Sequence, residues 1–454
     1  MMPTIGRRIA AWVAQRSYDQ LSAETIHEVK RRVIDSLGTA LGAYYAAPCK
    51  IVRAKAASLH ATRAGTVWGT NHYTCPELAA FANGAMVRYL DFNDTYLSKE
   101  PAHPSDNIPA VVAVAQTAGA SGKDAILAIV LAYEIQCRLC DAASLRKSGW
   151  DHVVYGALSS ALAAGKLWGL DEEGLEQALG LAGICNVATR QTRTGHLSMW
   201  KACAFSNAAR NGVFAADLAH RGMTGPAEVL QGPTGLMKQL GIPEIRDIVL
   251  CEDGDCMIHK TYIKCWPAGY YSQAAIDAML QLRPQIDRER VKSIQIRSFE
   301  AAVSIMGSEP EKWHPTSRET ASHSVAYCTA AALVDGDVTP ESFDKVRLQD
   351  PWIRALMGKT EIIEDPELNQ VYPHGAPAHV TVTMTDGGKV DKRVDFPRGH
   401  SQSPMTDDEV VAKFRRLAAG VATDETADRL LDRAWHLDEL TDLRELFEFE
   451  VIPY

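Results

Sequence analysis

The stretch from Asp124 to Ala142 is apolar on nearly every face, and it limits what this chain can fold into. Ser121 and Asp124 form a capping box ahead of it, so it reads as a helix with a defined start. A helix that is apolar all round has to be enclosed by other elements. Its longest uncharged run, Ala125 to Tyr133, ends at Glu134, far short of the ~20 residues that cross a bilayer. The stretch therefore predicts the centre of a large helical body and no membrane span. A body of that kind fits a chain of 454 residues, which at roughly 150 residues per domain reads as two or three domains.

Helical patterning continues around this centre. Ser22 caps a segment with Glu24 and Glu28 early, Lys30 to Arg32 later, and an apolar stripe of Ile26, Val29, Val33 and Leu37. Residues 155–168 are rich in Ala, Ser and Leu, which suits close helix packing, and 172–183 and 204–221 extend the pattern to Gly222 in the C′ position. Strand signals begin after about residue 258. Ser293 to Phe299 alternates, and Ala378 to Met384 and Lys389 to Phe396 flank the hairpin signature Asp386-Gly387-Gly388. Helix returns at Thr406 and Glu409, a second capping box, with Gly420 as a stop. The expected fold is mainly α with an α+β insertion: a helical domain from 1–258 and 400–454, and a smaller α/β lid domain at 259–399.

Composition narrows the function. Apolar residues at 46% and charged residues at 23% match an ordinary globular protein, and the net charge of −9 offers no field to hold nucleic acid. An anion site would have to be built locally. Of the ten cysteines only Cys137 and Cys140 are closely spaced, and one such pair inside an apolar helix reads as buried, reduced core. No secretory segment precedes the first helical residues, so the expected location is cytoplasmic. No dinucleotide fingerprint, phosphate loop, zinc-protease motif or nucleophile elbow occurs, and no cofactor is expected.

The chemistry gathers in Tyr89 to Asn107. Asp91, Asp94, Thr95, His103, Ser105, Asp106 and Asn107 crowd into a stretch broken by Pro101 and Pro104, with apolar helices on both sides. Polar groups so embedded must bond one another or face a cavity. Ser105 to Asn107 read as capping residues for the helix beginning near Pro109. Asp91 and His103 fit a structural role and a catalytic one alike. His152 opens the small-residue helix. Lys201 and Lys264 lie among apolar residues, where an ammonium is costly unless it is paired, used, or led to the surface. Two lysines, two histidines, an aspartate and a threonine make a kit for acid–base chemistry on a polycarboxylate.

Leu90-Asp91-Phe92-Asn93-Asp94-Thr95 followed by His103-Pro104-Ser105-Asp106-Asn107 resembles the signature of the MmgE/PrpD family. So do Ser198-Met199-Trp200-Lys201, Ala208 to Phe214, Gly222 to Pro226, Arg318 to Ser324 and Pro404-Met405-Thr406, so the resemblance runs along the whole chain. That family includes 2-methylcitrate dehydratase, cis-aconitate decarboxylase and iminodisuccinate epimerase. The resemblance implies a cofactor-free lyase, a helical domain with an α/β lid, and a homodimer. By motif it carries catalytic roles onto Asp91, His103, His152 and Lys201, and substrate-binding roles onto Thr95, Lys264 and Tyr327. It further implies a hydro-lyase that dehydrates 2-methylcitrate in propionate breakdown, with decarboxylation or epimerisation as alternatives. His103 and His152 would move the protons, Asp91 would orient a histidine, and the lysines would hold carboxylates. Ser322 stands where the family usually has Asp.

Overall fold

A computed structural model describes residues 3–62, 64–242, 248, 250 and 255–452. Cys251 lies outside them. The first half is built from helices α1 (Ile5–Gln15), α2 (Ala23–Gly42), α3 (Ala47–Ala57), α4 (Pro76–Tyr89), α5 (Ile108–Ala118), α6 (Gly122–Ala142), α7 (Val153–Leu167), α8 (Glu172–Ile184) and α9 (Trp200–His220). A two-stranded ribbon, β1 (Gly65–Thr66) with β2 (Tyr73–Thr74), interrupts them.

Helix α6 is the enclosed element that its composition demands: Ala125 to Cys137 are buried without a break. The Ser121–Asp124 capping box forms, as do the Ser22 cap of α2 and the Thr406–Glu409 box of the helix Asp407–Ala418. Gly222 follows the end of α9 at φ 91°. Small residues let α7 and α9 pack closely. A Cβ on Gly212 would lie 2.5 Å from the Ala157 carbonyl oxygen, so no larger residue fits that contact.

The sheet has four strands in the order β4-β3-β5-β6, with β3 (Val291–Ser298), β4 (Thr360–Glu364), β5 (Ala378–Met384) and β6 (Lys389–Val394). β3 pairs antiparallel with β5, and β5 with β6, across the predicted hairpin, whose Gly387 takes φ 89°. β3 pairs parallel with β4, so residues 299–359 form a crossover. Helix Gln273–Leu282 packs on β5 and β6, and helix Val325–Asp335 packs on that helix. One apolar cluster joins α2, α4, α5 and α6 to residues 405–449, and another gathers 262–394 around the sheet.

Candidate active site

Helix α4 ends at Tyr89, and two residues later Asp91 turns into the left-handed region at φ 53°. Asp tolerates that region better than most residues do. The turn aims the Asp91 carboxylate back at Arg88, whose Nη1 donates to Oδ1 at 2.6 Å. Thr95 and Tyr262 exchange backbone hydrogen bonds at 2.9 and 2.8 Å, which lays residues 262–264 beside this segment. Lys264 Nζ then donates to the Asp91 carbonyl at 2.8 Å and to Oδ1 at 2.7 Å. Lys413, from the helix Asp407–Ala418, ties the two loops together. Its Nζ donates to the carbonyls of Phe92 at 2.7 Å and Lys264 at 2.9 Å, and pairs with Asp35 at 2.6 Å.

The other oxygen, Oδ2, takes Lys201 Nζ at 3.0 Å and His323 Nε2 at 2.8 Å. Asp91 thus gathers groups from α4, α9, the 262–264 loop and the crossover on one buried carboxylate. Burial by itself would raise its pKa, but Arg88, Lys201, Lys264 and His323 hold it well below the usual carboxylate range. Burial lowers Lys201 to about 7 and Lys264 to about 8, and Asp91 opposes both shifts.

His103 sits across the same cavity. Its Nδ1 is 2.7 Å from the Asp94 carbonyl oxygen. A carbonyl only accepts, so Nδ1 carries the proton and Nε2 is left as a bare acceptor. Burial, with help from Arg88 and Lys264, keeps the ring far below its usual pKa and therefore neutral. His152 lies edge-on to it, with ring centroids 5.7 Å apart, and burial lowers it to about 3. Its Nδ1 is buried with no hydrogen-bond partner among the described residues. Asp151 faces His152 at 3.6 Å and accepts from Arg193 at 3.0 Å.

Arg88, Arg146, Arg190, Arg193, Lys201 and Lys312 line the cavity against four acids, Asp91, Glu100, Asp151 and Glu309. The lining carries more cationic than acidic side chains although the chain as a whole is negative.

The structure brings Asp91, Thr95, His103, His152 and Lys201 to the cavity wall. Lys264 is fully buried beside Asp91, bonds its carboxylate, and is not among the residues that line the cavity. Tyr327 likewise lies away from the cavity lining. It is fully buried in the sheet-side core and donates to the Ser342 carbonyl at 2.6 Å. The histidine in contact with Asp91 is His323, at 2.8 Å. Asn107 does occupy the N-cap position of α5, but it makes no side-chain cap hydrogen bond there, and the polar side chains of Ser105 to Asn107 turn to other partners. Asn93 donates to Ser105 and Asp106, and Asn107 bonds Gln136, Ser159 and Ser160, a polar layer between α5, α6 and α7.

Sequence reasoning missed Arg88, Arg193 and Lys312, and gave His323 no role. Arg88, three residues before Asp91 at the end of an apolar helix, was a readable signal. Lys312 in Glu309-Pro310-Glu311-Lys312 was not, since such a stretch reads as exposed loop.

The N-terminal domain model of the MmgE/PrpD family matches residues 7–246, and its C-terminal domain model matches residues 266–437. The chain belongs to the MmgE/PrpD family. Among similar proteins, the 2-methylcitrate dehydratase of Cupriavidus necator is 28% identical over 408 residues, covering 85% of this chain and 84% of that one. The 2-methylcitrate dehydratase of Escherichia coli strain K12 is 28% identical over 359 residues, or 74% and 73% of the two chains. The cis-aconitate decarboxylase of Homo sapiens is 27% identical over 476 residues, or 97% and 93%. In this MmgE/PrpD protein no helix among the described residues is long and apolar enough to cross a membrane. Dehydratases and decarboxylases are both lyases, in agreement with the activity class expected from the sequence.

Proposed function

We propose that this protein is a hydro-lyase that removes water from 2-methylcitrate, or a hydroxy-tricarboxylate like it, to give 2-methyl-cis-aconitate. One observation carries the reading. A neutral histidine with a bare Nε2, His103, and a lysine poised near neutrality, Lys201, line one positively charged cavity. His103 takes the proton α to a carboxylate. The cationic wall meets the charge that builds on that carboxylate as the carbanion forms. Lys201 gives a proton to the leaving hydroxyl, so that water departs and the conjugated acid remains. His152, neutral and edge-on to His103, holds that ring against the cavity. A homodimer in the cytoplasm, with residues 259–399 as a lid over the helical part, completes the proposal.

The test is an ultraviolet assay of the purified protein with 2-methylcitrate and then citrate. Growth of enoate absorbance that is lost in His103→Ala and Lys201→Met is the expected result. No growth with either acid, or near-wild-type turnover in Lys201→Met, would overturn the reading.

The long match to the decarboxylase, 97% of this chain, supports a second reading in which the cavity decarboxylates cis-aconitate. Release of carbon dioxide from that acid separates the two.

A further inference from the structure

Four lysines are buried among the described residues: Lys201, Lys264, Lys312 and Lys413. Three of them donate to protein oxygens at 3.0 Å or less. Lys312 does not. It is 3% exposed, and its ammonium has no hydrogen bond among the described residues. Its ion-pair partner is Glu309 Oε2 at 3.5 Å, and the Glu309 side chain is itself 36% exposed. A buried ammonium so weakly paired is an unfavourable arrangement for the empty protein.

The fold nevertheless fixes this lysine in place. It lies on the one-turn helix Pro310–Trp313, whose Trp313 Nε1 donates to the Gly307 carbonyl at 2.8 Å, and its own N–H donates to the Glu309 carbonyl at 2.9 Å. It lines the same cavity as Lys201, His103 and His323. It is also close enough to His323 for its charge to disfavour protonation of that ring.

We propose that Lys312 binds a substrate carboxylate, so that a polycarboxylate in this cavity is held from the β3–β4 crossover as well as from the helical wall. This rests on the proposed function for the class of substrate, but its test does not need turnover. Lys201 already has a carboxylate at hydrogen-bond distance in Asp91, whereas Lys312 has Glu309 at 3.5 Å and no hydrogen bond among the described residues. An incoming anion therefore gains most at Lys312, where it supplies the missing acceptor. A substrate that reaches both lysines bridges α9 and the crossover.

The probe is tricarballylate, which carries three carboxylates and no hydroxyl to eliminate. Its binding is measured by calorimetry on wild type, Lys312→Met and Lys312→Arg, together with the thermal midpoint of each protein without ligand. Loss of a charge-assisted bond predicts affinity weaker by about ten- to a hundredfold in Lys312→Met, with most of it restored in Lys312→Arg. The midpoint of Lys312→Met should match or exceed that of wild type, because the variant removes a charge on a buried side chain that Glu309, 3.5 Å away, offsets only weakly. A merely structural lysine gives the opposite pattern, a lower midpoint with affinity unchanged, and that would overturn the proposal. So would a loss of affinity that Lys312→Arg does not restore, or a wild type that binds no tricarballylate. If Lys312→Met does not fold, Lys312→Gln takes its place under the same criteria. A wild type that binds tricarballylate through Lys312 but turns over no hydroxy acid would remove the proposed activity and leave this site standing.

Discussion

Asp91 holds one negative charge against Arg88, Lys201, Lys264 and His323, in a backbone conformation that few residues adopt. Asp91→Asn keeps the shape and removes the charge. Two buried lysines then lose their carboxylate and Arg88 keeps Asp106 alone at 3.7 Å, so the variant should lose about 3–5 kcal/mol of stability along with its activity. Denaturant unfolding checks this; a variant as stable as wild type would show that the cluster is held by something else. The acid–base assignment predicts a pH profile as well. His103 is neutral throughout, so kcat/KM should show no rising limb near pH 6.5. It should fall as Lys201 deprotonates, with a midpoint near the value of about 7 for the empty site. A bound anion raises a lysine pKa, so the falling limb of kcat should lie at higher pH than that of kcat/KM. Asp91 and His103 were legible because short-range sequence crowds polar residues between apolar helices. Arg193 and His323 reach the cavity only through tertiary packing, which no local pattern encodes.

Helix ends were the most readable elements, because a cap is decided within four residues. Ser22, Ser121 and Thr406 each accept a bond from the N–H three residues on. β4 was not readable. Thr360 to Glu364 carries two glutamates, no alternation and little burial, and it becomes a strand by pairing with β3 across the crossover of residues 299–359. Ser105 to Asn107 misled for a related reason: good capping residues are also good partners for a buried polar layer, and only the packing of α6 and α7 decides between the two. Tyr327 poses the same choice on helix Val325–Asp335, and here the core wins. Tyr327→Phe should cost about 1 kcal/mol for the lost bond to Ser342 and leave kcat and KM unchanged. A drop in kcat at unchanged stability would return Tyr327 to the site.

At the scale of the whole molecule, burying the cluster couples the active site to acid stability. His152 and His323 are each lowered to about 3 from an ordinary 6.5, and His103 is also held well below 6.5. Above pH 6.5 these rings are neutral folded or unfolded, and their environment costs nothing. Below it the unfolded chain takes up protons that the folded protein refuses, so stability falls as pH drops from 6.5 toward 3. Asp91 works in the same direction lower down, since its depressed pKa contributes stability that is lost once the pH approaches that pKa. Lys201 and Lys264, lowered to about 7 and about 8 from 10.5, act in the same direction above neutrality, since the unfolded chain keeps protons there that the folded protein gives up. The thermal midpoint should therefore decline gently from pH 8 to 7 and more steeply from pH 6.5 to 4. His152→Asn should flatten part of that decline, because it removes one ring that must stay neutral. A midpoint as high at pH 4.5 as at pH 7 would mean that the rings accept protons in the folded state. In that case His103 could not be the neutral base on which the proposed elimination depends.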